Sequence, residues 1–223
     1  MKIGLLSDVH ANLPALEAVL EDLPRVDTIV CAGDVVGYNP WPSECVERVR
    51  SVASATVRGN HDRMVDTPKR YAHNEMALSG LEHAAAELSA TQRGWLRTRP
   101  DRTEIADGAY RLVHSHPDPD ERDSYVYPKN FAGLRPYLDE YDGLVLGHTH
   151  VQHRATGDGR VIVNPGSVGQ PRDGDPDAAY AVLDTDRNEV ELRRTAYDVD
   201  RVQRQIEAEG LPSRTAARLA EGR

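Results

Sequence analysis

Five short apolar runs in this chain each end directly on a polar cluster. That pattern constrains the fold more than any other feature of the sequence. Residues 2–7 read as a buried strand carrying Ile3, Leu5 and Leu6 into Asp8-Val9-His10. Residues 27–31 read as a second strand, Thr28 to Cys31, closed by Gly33-Asp34. A third strand near 54–57 runs into Gly59-Asn60-His61-Asp62. Amphipathic helices over 12–23 and 42–53 separate them, with Pro14 and Pro42 at their starts. Strand–helix–strand–helix–strand implies a parallel sheet. In open α/β sheets, ligands bind at the edge where the strands end. The polar clusters all fall at that edge.

The second half changes character. The periodicity predicts a long helix over 71–89 and a shorter one over 91–98 capped by Thr91. Strands follow at 103–106, 109–114, 143–147, 152–156, 160–164, 178–184 and 188–195. Asp107-Gly108, Gly157-Asp158-Gly159 and Asp186-Arg187-Asn188 supply hairpin-like turns. Helices are expected near 130–139 and over 198–209. Late strands joined as hairpins favour two packed sheets flanked by helices over a single doubly wound sheet. Residues 1–210 are expected to form one domain, and 211–223 a polar tail or docking helix.

Composition removes several classes of function. No apolar run approaches the roughly 20 residues that cross a bilayer. The segment Ile3–Leu6 is too short for a signal peptide, so a cytoplasmic protein is expected. Cys31 and Cys45 lack zinc-knot spacing and are read as unpaired. A formal charge of −9 argues against wrapping nucleic acid. It does not exclude an anionic small substrate, because bound cations can supply the local positive field.

The clusters offer seven oxygen or imidazole side chains: Asp8, His10, Asp34, Asn60, His114, His148 and His150. Asp8 and His10 lie two apart on a segment read as extended, so both can point the same way. His148 and His150 repeat that spacing. Asp, His and Asn donors without thiolate suit two divalent metal ions, with Mn²⁺ the first choice and Fe, Zn²⁺, Ni²⁺ or Co²⁺ the alternatives. Two such ions could share Asp34.

The ordered set Asp8-x-His10, Gly33-Asp34, Gly59-Asn60-His61-Asp62, His114 and Gly147-His148-x-His150 resembles the calcineurin-like metallophosphoesterase superfamily. The stretches Gly33 to Tyr38 and Asn164 to Arg172 resemble a small prokaryotic branch of it. The resemblance implies a four-layer α/β/β/α sandwich of two mixed sheets flanked by helices, with metals at its edge. It implies that Asp8, His10, Asp34 and His150 hold one metal, and that Asp34, Asn60, His114 and His148 hold the other. His61 would lie beside them, contacting the phosphate or protonating the leaving group. The implied reaction is hydrolysis of a phosphodiester or phosphomonoester by in-line attack of metal-bound hydroxide, so that His61 and Asp34 count as catalytic. The competing reading is a catalytically weak, metal-stabilised binding or regulatory protein of the same fold; the intact ligands and His61 weigh against it. The sequence departs from the protein serine/threonine phosphatases at Gly37, where they carry the Asp that orients the equivalent of His61.

The other polar residues divide between a site and ordinary structure. His116, Arg172, Asn74 and Tyr38 are candidates for substrate contact. Arg172 would bind phosphate or brace its own loop by a salt bridge. Tyr125, Tyr127 and Lys129 could form one wall of the cleft. The acidic stretches 118–123 and 173–177 read as solvated loops. The expected partner is a small phosphate-ester substrate, and no feature specifies a homo-oligomer.

Overall fold

The computed structural model describes residues 1–223. Its frame is two five-stranded mixed sheets. One has the order β10-β9-β1-β2-β3, from β1 (Lys2–Leu6), β2 (Thr28–Cys31), β3 (Ala53–Thr56), β9 (Ala178–Asp184) and β10 (Glu189–Thr195). The other has the order β4-β5-β6-β8-β7, from β4 (Arg102–Ile105), β5 (Tyr110–Val113), β6 (Gly143–Val145), β7 (His153–Gly157) and β8 (Arg160–Asn164). Alternation along the strands sends Ile3, Leu5, Val30, Leu112, Val145, Val163 and Leu183 into one cluster between the sheets. The opposite face of the first sheet offers Leu6, Cys31 and Tyr180 to α1 (Leu13–Asp22), α2 (Pro42–Val52), α4 (Glu75–Glu87) and α5 (Ala90–Arg97), while the short α3 (Asn60–Met64) follows β3. Val113, Leu144 and Ile162 on the outer face of the second sheet pack on Phe131, Leu134 and Leu138. This is the flanked two-sheet sandwich that the strand pattern and the resemblance imply.

The parallel strands decide where chemistry can sit. β1, β2 and β3 run parallel to one another, and so do β5, β6 and β8. All the polar clusters follow the C-terminal ends of these strands. The loop after β8 backs them. Val168 and Gly169 donate backbone N–H bonds to the carbonyls of Ser7 and Asp8, at 3.0 Å each, and the Ser167 hydroxyl donates to Asp8 O at 2.7 Å.

Three local expectations change. The helix expected over 71–89 begins at Glu75, because Asn74 caps it by accepting the Ala77 N–H at 3.3 Å. Residues Pro68–Tyr71 form a separate 3-10 turn. α5 starts one residue earlier than expected: Ser89, not Thr91, is the cap, in a capping box with Gln92. The segment expected as a helix near 130–139 is a 3-10 run over Pro128–Leu138. Pro136 has no N–H to give and its ring crowds the preceding turn, which excludes a regular α-helix.

The C-terminal residues form α7 (Ser213–Glu221), whose Leu219 packs with Val202 and Ile206 of α6 (Val199–Ala208). Gly174 N–H donates to Gly222 O at 2.9 Å, tying the end of α7 to the loop that follows Arg172. No helix is long and apolar enough to cross a membrane.

Two glycines in helices separate packing from propensity. A Cβ on Gly80 in α4 would lie 2.1 Å from the backbone nitrogen of Tyr38, whereas one on Gly94 in α5 would meet nothing closer than 4.0 Å. Alanine is intrinsically favoured over glycine in a helix by about 1 kcal/mol. Gly94→Ala should therefore gain up to about 1 kcal/mol, while Gly80→Ala should lose about 1–3 kcal/mol from overpacking. Urea denaturation of the two variants should show these opposite signs.

Candidate metal centre

The site is built from backbone turned the wrong way for ordinary residues. Asp8, His10, Asp34, His148 and His150 have φ of 53°, 46°, 52°, 68° and 59°. The extended segment expected for Asp8-Val9-His10 is therefore not what forms. Left-handed backbone costs a residue with a Cβ about 1–2 kcal/mol, and such residues gather where function over-determines them. Here the turns swing the side chains together at the rim between the sheets, where all five are at most 6% exposed.

Three trios result, each with its donor atoms within 4.8 Å of one another: Asp8, His10 and His150; Asp34, His114 and His148; and His10, Asp34 and His61. His148 and His150 thus divide between trios, while Asp8 and His10 stay together. Asn60 joins the second trio through Oδ1, 3.0 Å from His114 Nε2. Asp34 Oδ2 lies 3.3 Å from His114 Nε2 and 3.8 Å from His10 Nε2, so one oxygen faces both halves. The other oxygen, Oδ1, accepts the His61 backbone N–H at 2.8 Å.

The histidines are fixed from behind. His10 Nδ1 meets Val36 O at 3.0 Å, His114 Nδ1 meets Ala32 O at 2.7 Å and His150 Nδ1 meets Gln170 O at 2.6 Å. His148 uses the other nitrogen, Nε2, on Asp123 O at 3.0 Å. A carbonyl can only accept, so each of these nitrogens carries the hydrogen. In the neutral rings the remaining nitrogens are lone pairs aimed inward. The Nε2 atoms of His10 and His150 face each other at 3.1 Å, beside Asp8 Oδ1 at 3.2 Å from His150. Asp8 Oδ1 is buried and accepts no hydrogen bond. Lone pairs converging on an orphaned carboxylate oxygen repel one another unless a cation lies among them. The donor set fits divalent metal.

The ionisation pattern agrees. Burial, reinforced by the charge of neighbouring His150, holds His10 well below its ordinary value. Burial and Arg172 do the same to His150, and burial with His114 lowers His148 to about 4. Burial also works against charge on His114, but the Asp34 carboxylate overcomes it and lifts His114 to about 10. Asp34 in turn is kept well below the carboxylate range by His114, His61 and His10, against its burial. Three neutral imidazoles and an ionised carboxylate are the forms a cation binds, and His114 would give up its proton to one.

His61 differs from the other four. It is 3% exposed, yet its Nδ1 has no hydrogen-bond partner. Burial lowers its pKa, opposed by Asp34. Its ring lies 4.8 Å from His10, 4.7 Å from Tyr38 and 5.1 Å from Tyr71. Gly37 fills the place of an orienting group with space: a Cβ there would come within 2.4 Å of His61 Nδ1.

The remaining sequence candidates scatter. Tyr38 reaches the site, its ring 4.8 Å from His10, with the Arg172 guanidinium 5.5 Å above it. Arg172 forms no salt bridge; it donates to Gln170 Oε1 at 2.7 Å. Asn74 is occupied as a helix cap. His116 is occupied in its own loop, accepting Asp118 N–H at 3.1 Å and packing edge-on to Tyr137.

Several residues that matter gave no sequence signal. Tyr71 takes the Asn60 amide N–H at 2.5 Å, leaving Oδ1 for the site. Ser7 Oγ donates to Asp8 Oδ2 at 2.6 Å. The acidic loops are not merely solvated: Asp123 accepts from His148 and pairs with Arg63, and Asp173 pairs with Arg194. Asp62, which follows His61, turns away from the trios. Its carboxylate accepts backbone N–H bonds from Asp34 at 2.9 Å, Val35 at 2.9 Å, Val36 at 3.3 Å and Gly59 at 3.0 Å. Burial and the charge of Asp34 raise its pKa to about 7 despite those donors.

Residues 1–188 match the family model of the calcineurin-like phosphoesterase superfamily domain. The chain belongs to this superfamily. Among solved structures, a metallophosphoesterase from Sphaerobacter thermophilus shares 38% identity with this calcineurin-like phosphoesterase, with a TM-score of 0.87 over 100% of this chain and 99% of that one. An uncharacterized protein of Methanocaldococcus jannaschii is 30% identical over 241 residues, covering 99% of this chain and 98% of that protein. The phosphodiesterase YfcE of Escherichia coli K12 is 30% identical over 198 residues, covering 83% of this chain and 89% of that protein.

Asp62 gives the site a mechanical test. Asp62→Ala would leave four buried N–H groups without an acceptor, at about 1–3 kcal/mol for each that water fails to reach. Urea unfolding of the metal-free variant should show a loss of at least about 3 kcal/mol. A loss under about 1 kcal/mol would mean that water replaces the carboxylate.

Proposed function

We propose that this calcineurin-like phosphoesterase hydrolyses a small phosphodiester or phosphomonoester with two divalent cations. Asp8, His10, Asp34 and His150 would hold one, and Asp34, Asn60, His114 and His148 the other. The observation that carries the reading is the single oxygen of Asp34 facing both donor sets, at 3.3 Å from His114 and 3.8 Å from His10. Mixed carboxylate, amide and imidazole donors favour Mn²⁺, with Fe, Zn²⁺, Ni²⁺ or Co²⁺ as substitutes. When bound, the ions supply Lewis acidity to the phosphoryl oxygens and a nucleophile at neutral pH.

The chain's own residues do the rest. The carbonyl contacts of His10, His114, His148 and His150 lock those rings as donors. His61, with no such lock, is left to carry a proton to the leaving oxygen. Burial lowers its pKa against the pull of Asp34, so the negative charge of a bound phosphate would be what keeps it protonated. Tyr38 and Arg172 stand over the same side of the cluster. Arg172 without a carboxylate partner suits a phosphate oxygen.

Two variants separate the roles. Protein purified without chelators should release nitrophenolate from bis-p-nitrophenyl phosphate, and added Mn²⁺ should raise the rate. His61→Ala should keep its metal content and lose about 10²–10⁴-fold in kcat, the usual span for an acid–base group. Loss of metal in that variant would instead make His61 a ligand. Asp34→Asn should weaken both metal sites, read by elemental analysis; two tightly held ions would refute the bridge. Protein that binds metal but hydrolyses neither diesters nor monoesters would be the binding protein of the competing reading.

A further inference from the structure

Large apolar side chains are exposed at only three positions: Met1 at 37%, Tyr125 at 52% and Tyr127 at 42%. The two tyrosines share one short segment, and that segment abuts the candidate metal centre. Its start is pinned at Asp123, whose N–H donates to Ser115 Oγ at 2.9 Å and whose carbonyl meets His148 Nε2 at 3.0 Å. The Asp123 carboxylate is held by Arg63. Its middle is pinned at Val126, 3% exposed and packed with Phe131, Leu134 and Leu138. With Val126 turned inward, alternation along an extended segment turns Tyr125 and Tyr127 outward on the same side.

The outward rings are ordered with respect to the site. Tyr125 stacks on His148 with centroids 4.4 Å apart and planes 15° from parallel. Tyr127 continues the column, 5.7 Å from Tyr125 and 18° from parallel. Neither tyrosine belongs to a hydrophobic core cluster. The fold gains little from two half-exposed rings, whereas a ligand gains a flat aromatic surface that starts at a donor of the candidate centre and leads outward.

We propose that Tyr125 and Tyr127 form a stacking platform for a planar base, so that the physiological substrate is a nucleotide-type phosphate ester. The inference rests on the phosphoesterase reading and narrows its substrate. A phosphate held among the trios sets the sugar beside Tyr125 and the base against the outer part of the column. Stacking on tyrosine is tolerant of base identity, because every base offers a π-face. An alkyl arm would call for a concave apolar groove, whereas these rings are half exposed and stacked in parallel. The charge of −9 speaks for a mononucleotide or short dinucleotide and against a polymer, whose many phosphates need matching cations.

The test compares AMP with ribose 5-phosphate, which share sugar and phosphate and differ only by the base. Affinities are measured by calorimetry on Mn²⁺-loaded protein in the His61→Ala background, where turnover is slowed by about 10²–10⁴-fold. AMP should bind about 5- to 150-fold more tightly, the span that one stacked base supplies. Adding Tyr127→Ala should cut that ratio at least threefold, on the order expected for losing one stacking ring, while Tyr127→Phe should keep it. Equal affinities, no binding of either ligand, or an undiminished ratio in Tyr127→Ala would overturn the platform. Turnover of bis-p-nitrophenyl phosphate by the unaltered protein is scored separately, so failure of the phosphoesterase reading shows itself apart from failure of the platform.

Discussion

A carboxylate outside the metal trios determines where they form. Asp62 sits at the start of the short helix Asn60–Met64 and collects backbone N–H groups from two loops, those after β2 and β3. One loop carries Asp34 and the other carries Asn60 and His61. Unpaired amides buried at this depth would be costly. The carboxylate therefore fixes the separation of the two loops before any cation is considered. Asp34 completes the clasp by accepting the His61 N–H. The Asp34 carboxylate, the Asn60 amide and the unlocked His61 ring are thus referenced to one another through three consecutive residues, Asn60, His61 and Asp62.

The other half of the cage depends on the meeting of the two sheets. His148 N–H donates to Asp8 Oδ2 at 3.0 Å, across the rim from one sheet to the other. The loop after β8 is tied to the loops after β1 and β2, with Asn12 Nδ2 and Asn39 Nδ2 both donating to Gly169 O, at 2.9 and 3.4 Å. These contacts hold Asp8, His10 and His150 together although 140 residues separate His10 from His150 in the chain. Packing between the sheets supplies the rigid base, and polar contacts supply the aim.

Much of this was legible in the sequence, for identifiable reasons. Short strands ending on Asp8, Asp34, Asn60, His114 and His148 could be read because apolar alternation and turn residues are local signals. The order of those clusters carried the family. The left-handed backbone at Asp8, His10 and His150 could not be read, since those residues are not glycine and only tertiary contacts force the turn. Asn74 looked like a cleft residue but caps a helix, because the Pro68–Tyr71 turn cut short the helix expected over 71–89. Asp123 looked like a solvated loop residue, and its hold on His148 spans 25 positions that no periodicity links. Tyr71 left no local trace of its bond to Asn60.

The left-handed backbone of Asp8, His10, Asp34, His148 and His150 bears on any attempt to harden this protein. Glycine adopts that conformation without the steric penalty, yet at Asp8 and Asp34 it would strand the His148 and His61 N–H groups that those carboxylates accept. At His10, His148 and His150 it would open a void where a buried ring now packs. Glycine at these turns therefore exchanges a backbone penalty for a side-chain one, and engineering for heat resistance has to start elsewhere in the fold.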